Sequence, residues 1–410
     1  MVEALEPDAL VEAVRRLVRI ESWGGRETPA QELVAELCAD SGLQVEVHEI
    51  DLPAVQAHPD CSWEIERERA LAVSGTLRGR GDGRSIVLNG HVDVVPPGDE
   101  RPWTHPPFAG VVADGRVWGR GALDMKGPLM AGLFALRAIR RAGVEVAGSA
   151  RLQSVVGEED GGLGTLAAIL TGPPADGAIV MEPTQLVVVP VQAGCLNFRV
   201  RTSGLAAHGA VRGEGVSAFE KLFGLYGAVS ALEAERNAVF SDDPLFERYA
   251  VPFPISIGTM RGGDWASSVP DHAAMEGRMG VRPGESFESA RRALEEAIGS
   301  AARDDPWMRA HPPVVEWWGG RFLPSVTAAD DPLTVALQDA ATDVLGRSAP
   351  LEAVPFGADA GLLSNVGGMP TVLFGAGDIR KAHRPDEHVA IDELVAMARA
   401  LAVAVLRYCG

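Results

Sequence analysis

Basic residues are in short supply. The 410-residue chain has 37 Lys+Arg against 56 Asp+Glu, a formal net charge of −19. A chain this acidic lacks the basic face that phosphate requires, which excludes nucleic acid and anionic membrane surfaces as expected partners. Cysteine is scarce as well. Cys38, Cys61, Cys195 and Cys409 stand far apart with no CxxC pair. That excludes a disulfide framework and a thiolate metal site, and it points to free thiols in a reducing compartment. No apolar run approaches the roughly 20 residues of a membrane-spanning helix. The first residues, MVEALEPDALVEAVRRL, put acids where a secretory signal has a basic start and an apolar stretch. The expected location is the cytoplasm. What remains is 46% hydrophobic and 23% charged, the balance of a soluble chain with a large core and two or three domains.

Apolar spacing predicts helices over 7–20, 28–41, 128–142 and 392–408, and an alternating strand over 43–50. Short apolar runs at 70–77, 85–88, 152–156, 178–181 and 371–374 read as buried strands. Helices alternating with such strands predict an α/β domain, a sheet covered by helices on both faces. Between 192 and 308 the pattern changes to strand 196–202, helix 215–235, strands 255–260 and 272–281, and helix 285–302. That order predicts a two-layer α+β domain inserted into the first. The expected division is a discontinuous metal-binding catalytic domain of 1–191 and 309–410, and an inserted domain of 192–308.

Chemistry collects where the buried runs stop. Ile86-Val87-Leu88 leads into Asn89-Gly90-His91-Val92-Asp93, and the run at 152–156 into Gly157-Glu158-Glu159-Asp160. The run at 178–181 leads into Glu182-Pro183-Thr184, and the run at 371–374 into Gly375-Ala376-Gly377 and then His383. Ligands of open α/β sheets gather outside the carboxyl ends of the strands. His91, Glu158, Glu159, Glu182 and His383 are therefore expected at one sheet edge. Asp124, just ahead of the helix at 128–142, is a further candidate. Each piece has an ordinary explanation: a hydrogen-bonded histidine, a solvated acidic turn, a helix cap. Their joint placement favours a pair of zinc-type cations, which take imidazole nitrogens and carboxylate oxygens. An open water position would let such a pair activate water.

These residues resemble the co-catalytic zinc amidohydrolases that include acetylornithine deacetylase, succinyl-diaminopimelate desuccinylase, aminoacylase and carboxypeptidase G. The resemblance rests on Gly90 to Pro96, Gly119 to Gly127, Gly157-Glu158-Glu159, and Gly367 to Gly375 continuing to Ala382-His383-Arg384-Pro385-Asp386-Glu387. It implies two Zn2+ per chain, with Co2+ or Mn2+ as substitutes. His91 and Glu182 would hold one ion, Glu159 and His383 the other, and Asp124 would bridge them. It further implies that Asp93 orients His91, that Glu158 is the general base acting on a metal-bridged water, and that the peptide after Asp124 is cis. The inserted domain matches the family's dimerisation or lid domain, so a homodimer is expected. Within it, His208 would reach the partner's site and donate to the oxyanion, and Arg278 would bind a substrate carboxylate. Gly375 and Gly377 would offer backbone amides to the substrate.

The chain departs from the family pattern at Ser267-Ser268-Val269-Pro270, where an Asn often precedes the Val-Pro. It departs also at Gly277, beside Arg278, and at His388, where an aromatic often stands. None of these is a metal position; all bear on substrate. The resulting expectation is a deacylase of a small N-acylated amine, an N-acyl amino acid first. A dipeptidase, a carboxypeptidase or a deformylase of an N-formyl heterocycle is the second reading. A non-catalytic binding protein on this fold is disfavoured, because all five ligand positions and the base are present.

Overall fold

The computed structural model describes residues 4–240 and 243–410. They divide into two compact units, one of Met1–Gln192, Ser325–Ala353 and Ala358–Gly410, the other of Ala193–Pro324 and Val354–Gly357.

The first unit is built on a mixed sheet. Across it the strands run Gln44–Glu49, Leu71–Arg78, Ser149–Val155, Ser85–His91, Gly177–Val180, Thr371–Leu373, Val188–Gln192 and Ser325–Val326. The four from Ser149–Val155 to Thr371–Leu373 are mutually parallel, and those flanking them are antiparallel. Every residue of Gly177–Val180 and Thr371–Leu373 is buried, which is why these strands read as unbroken apolar runs rather than alternating ones. The outermost strand Gln44–Glu49 alternates weakly and is mostly exposed. Helices Lys126–Arg141 and Ile391–Cys409 pack on each other and on Ser85–His91, while Thr28–Asp40 and Leu163–Thr171 pack against Leu71–Arg78. A small sheet of Val111–Ala113, Arg116–Trp118 and His388–Ala390 has no counterpart in the sequence-based expectation. It ties the segment before Asp124 to the segment after His383.

The second unit is an antiparallel sheet in the order Ile255–Gly262, His272–Val281, Gly194–Ser203 and Val314–Phe322. Helices Ala218–Ala238 and Phe287–Asp304 complete its two layers, each opened by a serine whose side chain accepts an amide of the first turn. Phe198, Leu222, Leu225, Met275, Met279, Leu294 and Ile298 form its core. The unit continues past 308, where the sequence pattern placed its end. The reason is the strand Val314–Phe322, whose pairing with Gly194–Ser203 slips register between Trp317 and Arg321, across Gly319-Gly320. A bulged edge strand interrupted by glycines carries no clean period of two.

Candidate metal centre

Because the four middle strands are parallel, their carboxyl ends share an edge, and the expected residues meet there. His91 ends its own strand; Glu158, Glu159 and Glu182 follow theirs within a few residues. Asp124 arrives from the turn before Lys126–Arg141, through an Asp124–Met125 peptide that is cis. Its two oxygens diverge: Oδ1 lies 3.3 Å from Nε2 of His91, and Oδ2 lies 3.3 Å from Nε2 of His383. On the outer side Glu159 Oε1 and Oε2 lie 3.1 and 3.0 Å from that same His383 nitrogen. On the inner side Glu182 Oε1 and Glu158 Oε2 lie 3.8 and 3.9 Å from His91 Nε2. The inner end is closed, with His91 1% exposed, while the His383 side chain is 51% exposed. The site thus opens to solvent at one end only.

Its electrostatics are those of anions crowded out of water. Burial pushes Glu158 and Glu182 well above the carboxylate range, and acids nearby add to it: Glu182 acts on Glu158, and Asp124 on Glu182. Glu159 is raised by burial too, against the pull of His383. Burial would discharge His91, but Asp124, Asp93, Glu158 and Glu182 outweigh it and raise the ring. His383 is raised to about 11, burial being overcome by Glu159 and Asp124. Asp124 is lowered because the two histidines overcome its burial. One oxygen, Glu182 Oε1, is buried without a hydrogen-bond partner. His91, Glu158 and Glu182, and likewise His91, Asp124 and Glu159, bring ligand atoms within 4.8 Å of one another. A donor set of two imidazoles and several carboxylates, with an orphaned oxygen among them, fits divalent cations of the zinc type.

One expected contact is made by a different atom, and one expectation needs correction. Asp93 reaches His91 through its main-chain oxygen, 2.8 Å from Nδ1, while its carboxylate stands 3.7 Å away. That carboxylate instead accepts the amide of Glu159 at 3.0 Å. Gly375 and Gly377 do not offer free amides. The first donates to the Thr184 hydroxyl at 3.0 Å and the second to Glu393 at 2.7 Å. What these positions require is the absence of a side chain: a Cβ on Gly375 would stand 2.3 Å from the Glu182 carbonyl oxygen, and one on Gly377 1.8 Å from Leu123. His208 and Arg278 belong to the second unit. His208 is exposed and accepts the Ala210 amide at 3.1 Å. Arg278 donates to the Pro355 carbonyl at 3.2 Å.

Residues 87–407 match the sequence profile of peptidase family M20/M25/M40. The chain belongs to that family. An N-formyl-4-amino-5-aminomethyl-2-methylpyrimidine deformylase from Halalkalibacterium halodurans is 31% identical over 349 residues, 80% of this chain and 79% of that one. Acetylornithine deacetylase from Edwardsiella ictaluri is 28% identical over 340 residues, 81% and 82% of the two chains. The structure of the di-peptidase Dug1p from Saccharomyces cerevisiae shares the fold, with a TM-score of 0.77 at 16% identity over 100% of this chain and 97% of that one. This M20 chain is accordingly an amidohydrolase.

Around the candidate site of this M20 chain stand groups the sequence did not single out. Asp359, 1% exposed, accepts the Thr165 hydroxyl at 2.5 Å and leaves its second oxygen unpartnered. Burial raises it to about 7, with the Thr165 bond and His91 opposing. Lys126 is fully buried, donates to the Ile20 carbonyl at 2.8 Å, and is lowered to about 7 by burial against the pull of Glu387 and Asp93. Arg67 bridges Asp160 at 2.8 Å and Glu27 at 3.1 Å beneath the Glu158–Glu159 turn. The available signal for Arg67 was its place in a charged stretch, which reads as solvated until the turn folds over it.

Proposed function

We propose that the chain removes the acyl group from a small N-acylated amine, with an N-acyl amino acid as the first substrate class, using two divalent cations. The observation that carries this reading is Asp124, whose two oxygens face two imidazoles with Glu158 buried beside them. His91 and Glu182 would hold one Zn2+, Glu159 and His383 the other, and Asp124 both; Co2+ or Mn2+ would substitute. When bound, such ions supply Lewis acidity that acidifies water and neutralises charge on a developing oxyanion. Glu158, enclosed beside the cluster, takes a proton from the attacking water as oxygen bonds to the acyl carbon. It then gives that proton to the nitrogen as the C–N bond breaks, so the amine leaves neutral. Asp93 fixes both the His91 ring and the Glu159 amide.

The second unit would contribute His208 to the oxyanion, from the partner of a homodimer, and Arg278 to a substrate carboxylate as a two-pronged donor. Support for dimerisation is the apolar surface on Ala218–Ala238, where Phe223 is 63% and Tyr226 44% exposed. No disulfide joins the four cysteines among the described residues, which supports a cytoplasmic location. Among the described residues no helix is long and apolar enough to cross a membrane. A second acyl class, the formyl group on an aminomethyl heterocycle, is favoured by the 31% identity to the pyrimidine deformylase.

Metal analysis of the purified chain, combined with a panel of N-acetyl, N-formyl, N-succinyl and N-carbamoyl compounds and dipeptides, tests this. About two ions per chain and hydrolysis of one acyl class are expected. Fewer than one ion, with no hydrolysis after zinc addition, overturns it.

A further inference from the structure

Glu387 lies four residues beyond His383, and the chemistry above gives it no task. It is 0% exposed. Its Oε1 accepts two main-chain amides, that of Leu123 at 3.1 Å and that of Asp124 at 3.2 Å. Its other oxygen pairs with Arg120, itself 2% exposed. The Arg120 guanidinium carbon lies 5.3 Å from the centroid of the Trp103 ring, and the Arg120 amide donates to Pro107 at 2.8 Å. The Glu387 main-chain oxygen accepts the Gly119 amide at 2.9 Å. A carboxylate this deep is tolerated only when its oxygens are satisfied and its charge is matched. Here one of the satisfying groups is the amide of the very residue whose carboxylate faces both histidines.

We propose that Glu387, charge-matched by Arg120, is a positioning residue that seats Asp124 between the two metal positions. This rests on the reading of Asp124 as the shared ligand. An aspartate side chain has two rotatable bonds, so the place of its oxygens follows the place of its backbone. Moving the Asp124 amide moves both oxygens together and spoils both ion positions at once. Glu387 also shares a short segment with His383. Its bonds to Gly119, Leu123 and Asp124 therefore lock the segment carrying the bridging carboxylate to the one carrying the outer histidine.

Titration of the metal-free enzyme with Co2+, followed by visible absorption and calorimetry, tests this in Glu387→Ala and Glu387→Gln. Loss of a partner behind a metal ligand weakens binding about 10- to 100-fold. That loss is expected for Glu387→Ala in the weaker of the two binding steps, with a changed absorption envelope. Glu387→Gln, whose amide oxygen still accepts both N–H groups, is expected to lose less, and it carries the test if Glu387→Ala does not fold. Glu285→Gln, which breaks the buried pair with Arg236 in the second unit, controls for general destabilisation and is expected to keep wild-type Co2+ affinity. Folded Glu387 variants with two wild-type binding steps overturn the proposal, as does an equal loss in Glu285→Gln. Wild-type enzyme that takes up no Co2+ overturns both this and the metal reading; two-ion binding unchanged in the variants overturns this one alone.

Discussion

The interiors of the two units obey different rules. In the second, the described core is apolar, and its buried charge, Arg236, is met by both oxygens of Glu285 at 2.8 and 2.7 Å and by the Gly280 carbonyl at 2.9 Å. In the first, Asp93, Asp124, Glu158, Glu182 and Asp359 are all under 9% exposed, and several keep an oxygen with no partner. Such a cluster opposes folding unless charge is supplied from outside the chain. One unit is self-sufficient, then, and the other is built around an electrostatic deficit. The deficit coincides with the proposed metal site, and stability alone would have favoured its removal.

The sharpest way to separate deficit from chemistry is Glu158→Gln. It removes the proton carrier while keeping size and polarity, and turnover is expected to fall at least 10²- to 10⁴-fold. Metal content, measured on the same preparation, should stay near wild type; surviving activity would reassign the base. Chelation comes next in size. A ligand at about a thousand times its Kd stabilises the state that binds it by about 4 kcal/mol. Removing the metal should therefore lower protection from hydrogen exchange in the first unit and leave the strands of the second unchanged. Equal loss in both units would break the contrast.

A smaller effect has opposite signs in the two units. Asp359, ordinarily near 3.8, is raised to about 7. The folded state holds its proton more tightly, so its stability is greatest at low pH and falls as pH rises through about 7. In the metal-free protein this should amount to roughly 2–3 kcal/mol between pH 5 and pH 8, and Asp359→Asn should flatten it. Glu285 is lowered because Arg236 overcomes its burial. Its contribution is present above the ordinary glutamate range and is lost on acidification below it. Denaturant melts of metal-free wild type and Asp359→Asn across this range check the slope; a rise in wild-type stability toward pH 8 would contradict it.

The meeting of His91, Glu158, Glu159 and Glu182 was legible because each closely follows a short apolar run, a pattern written locally in the chain; Asp124 and His383 were placed by the family resemblance. Glu387 and Asp359 were not legible. An acid acquires such a role only when distant segments close over it, and before that it looks like any polar loop residue. Gly375 and Gly377 were misread for a related reason. A glycine near a site suggests an available amide, yet whether that amide is free depends on Thr184 and Glu393, contributed by other parts of the chain. The strand Val314–Phe322 escaped notice because its signal is pairing, not composition.

Thr371–Leu373 lies between Gly177–Val180 on one side and Val188–Gln192 on the other, two strands that are near neighbours in sequence. Both flanking strands are synthesised well before the strand that lies between them. The same stretch delivers His383 and Glu387. Closure of the sheet and completion of the proposed ion-binding cradle thus both depend on residues from 371 onward, and a nascent chain stopped short of residue 371 would lack both.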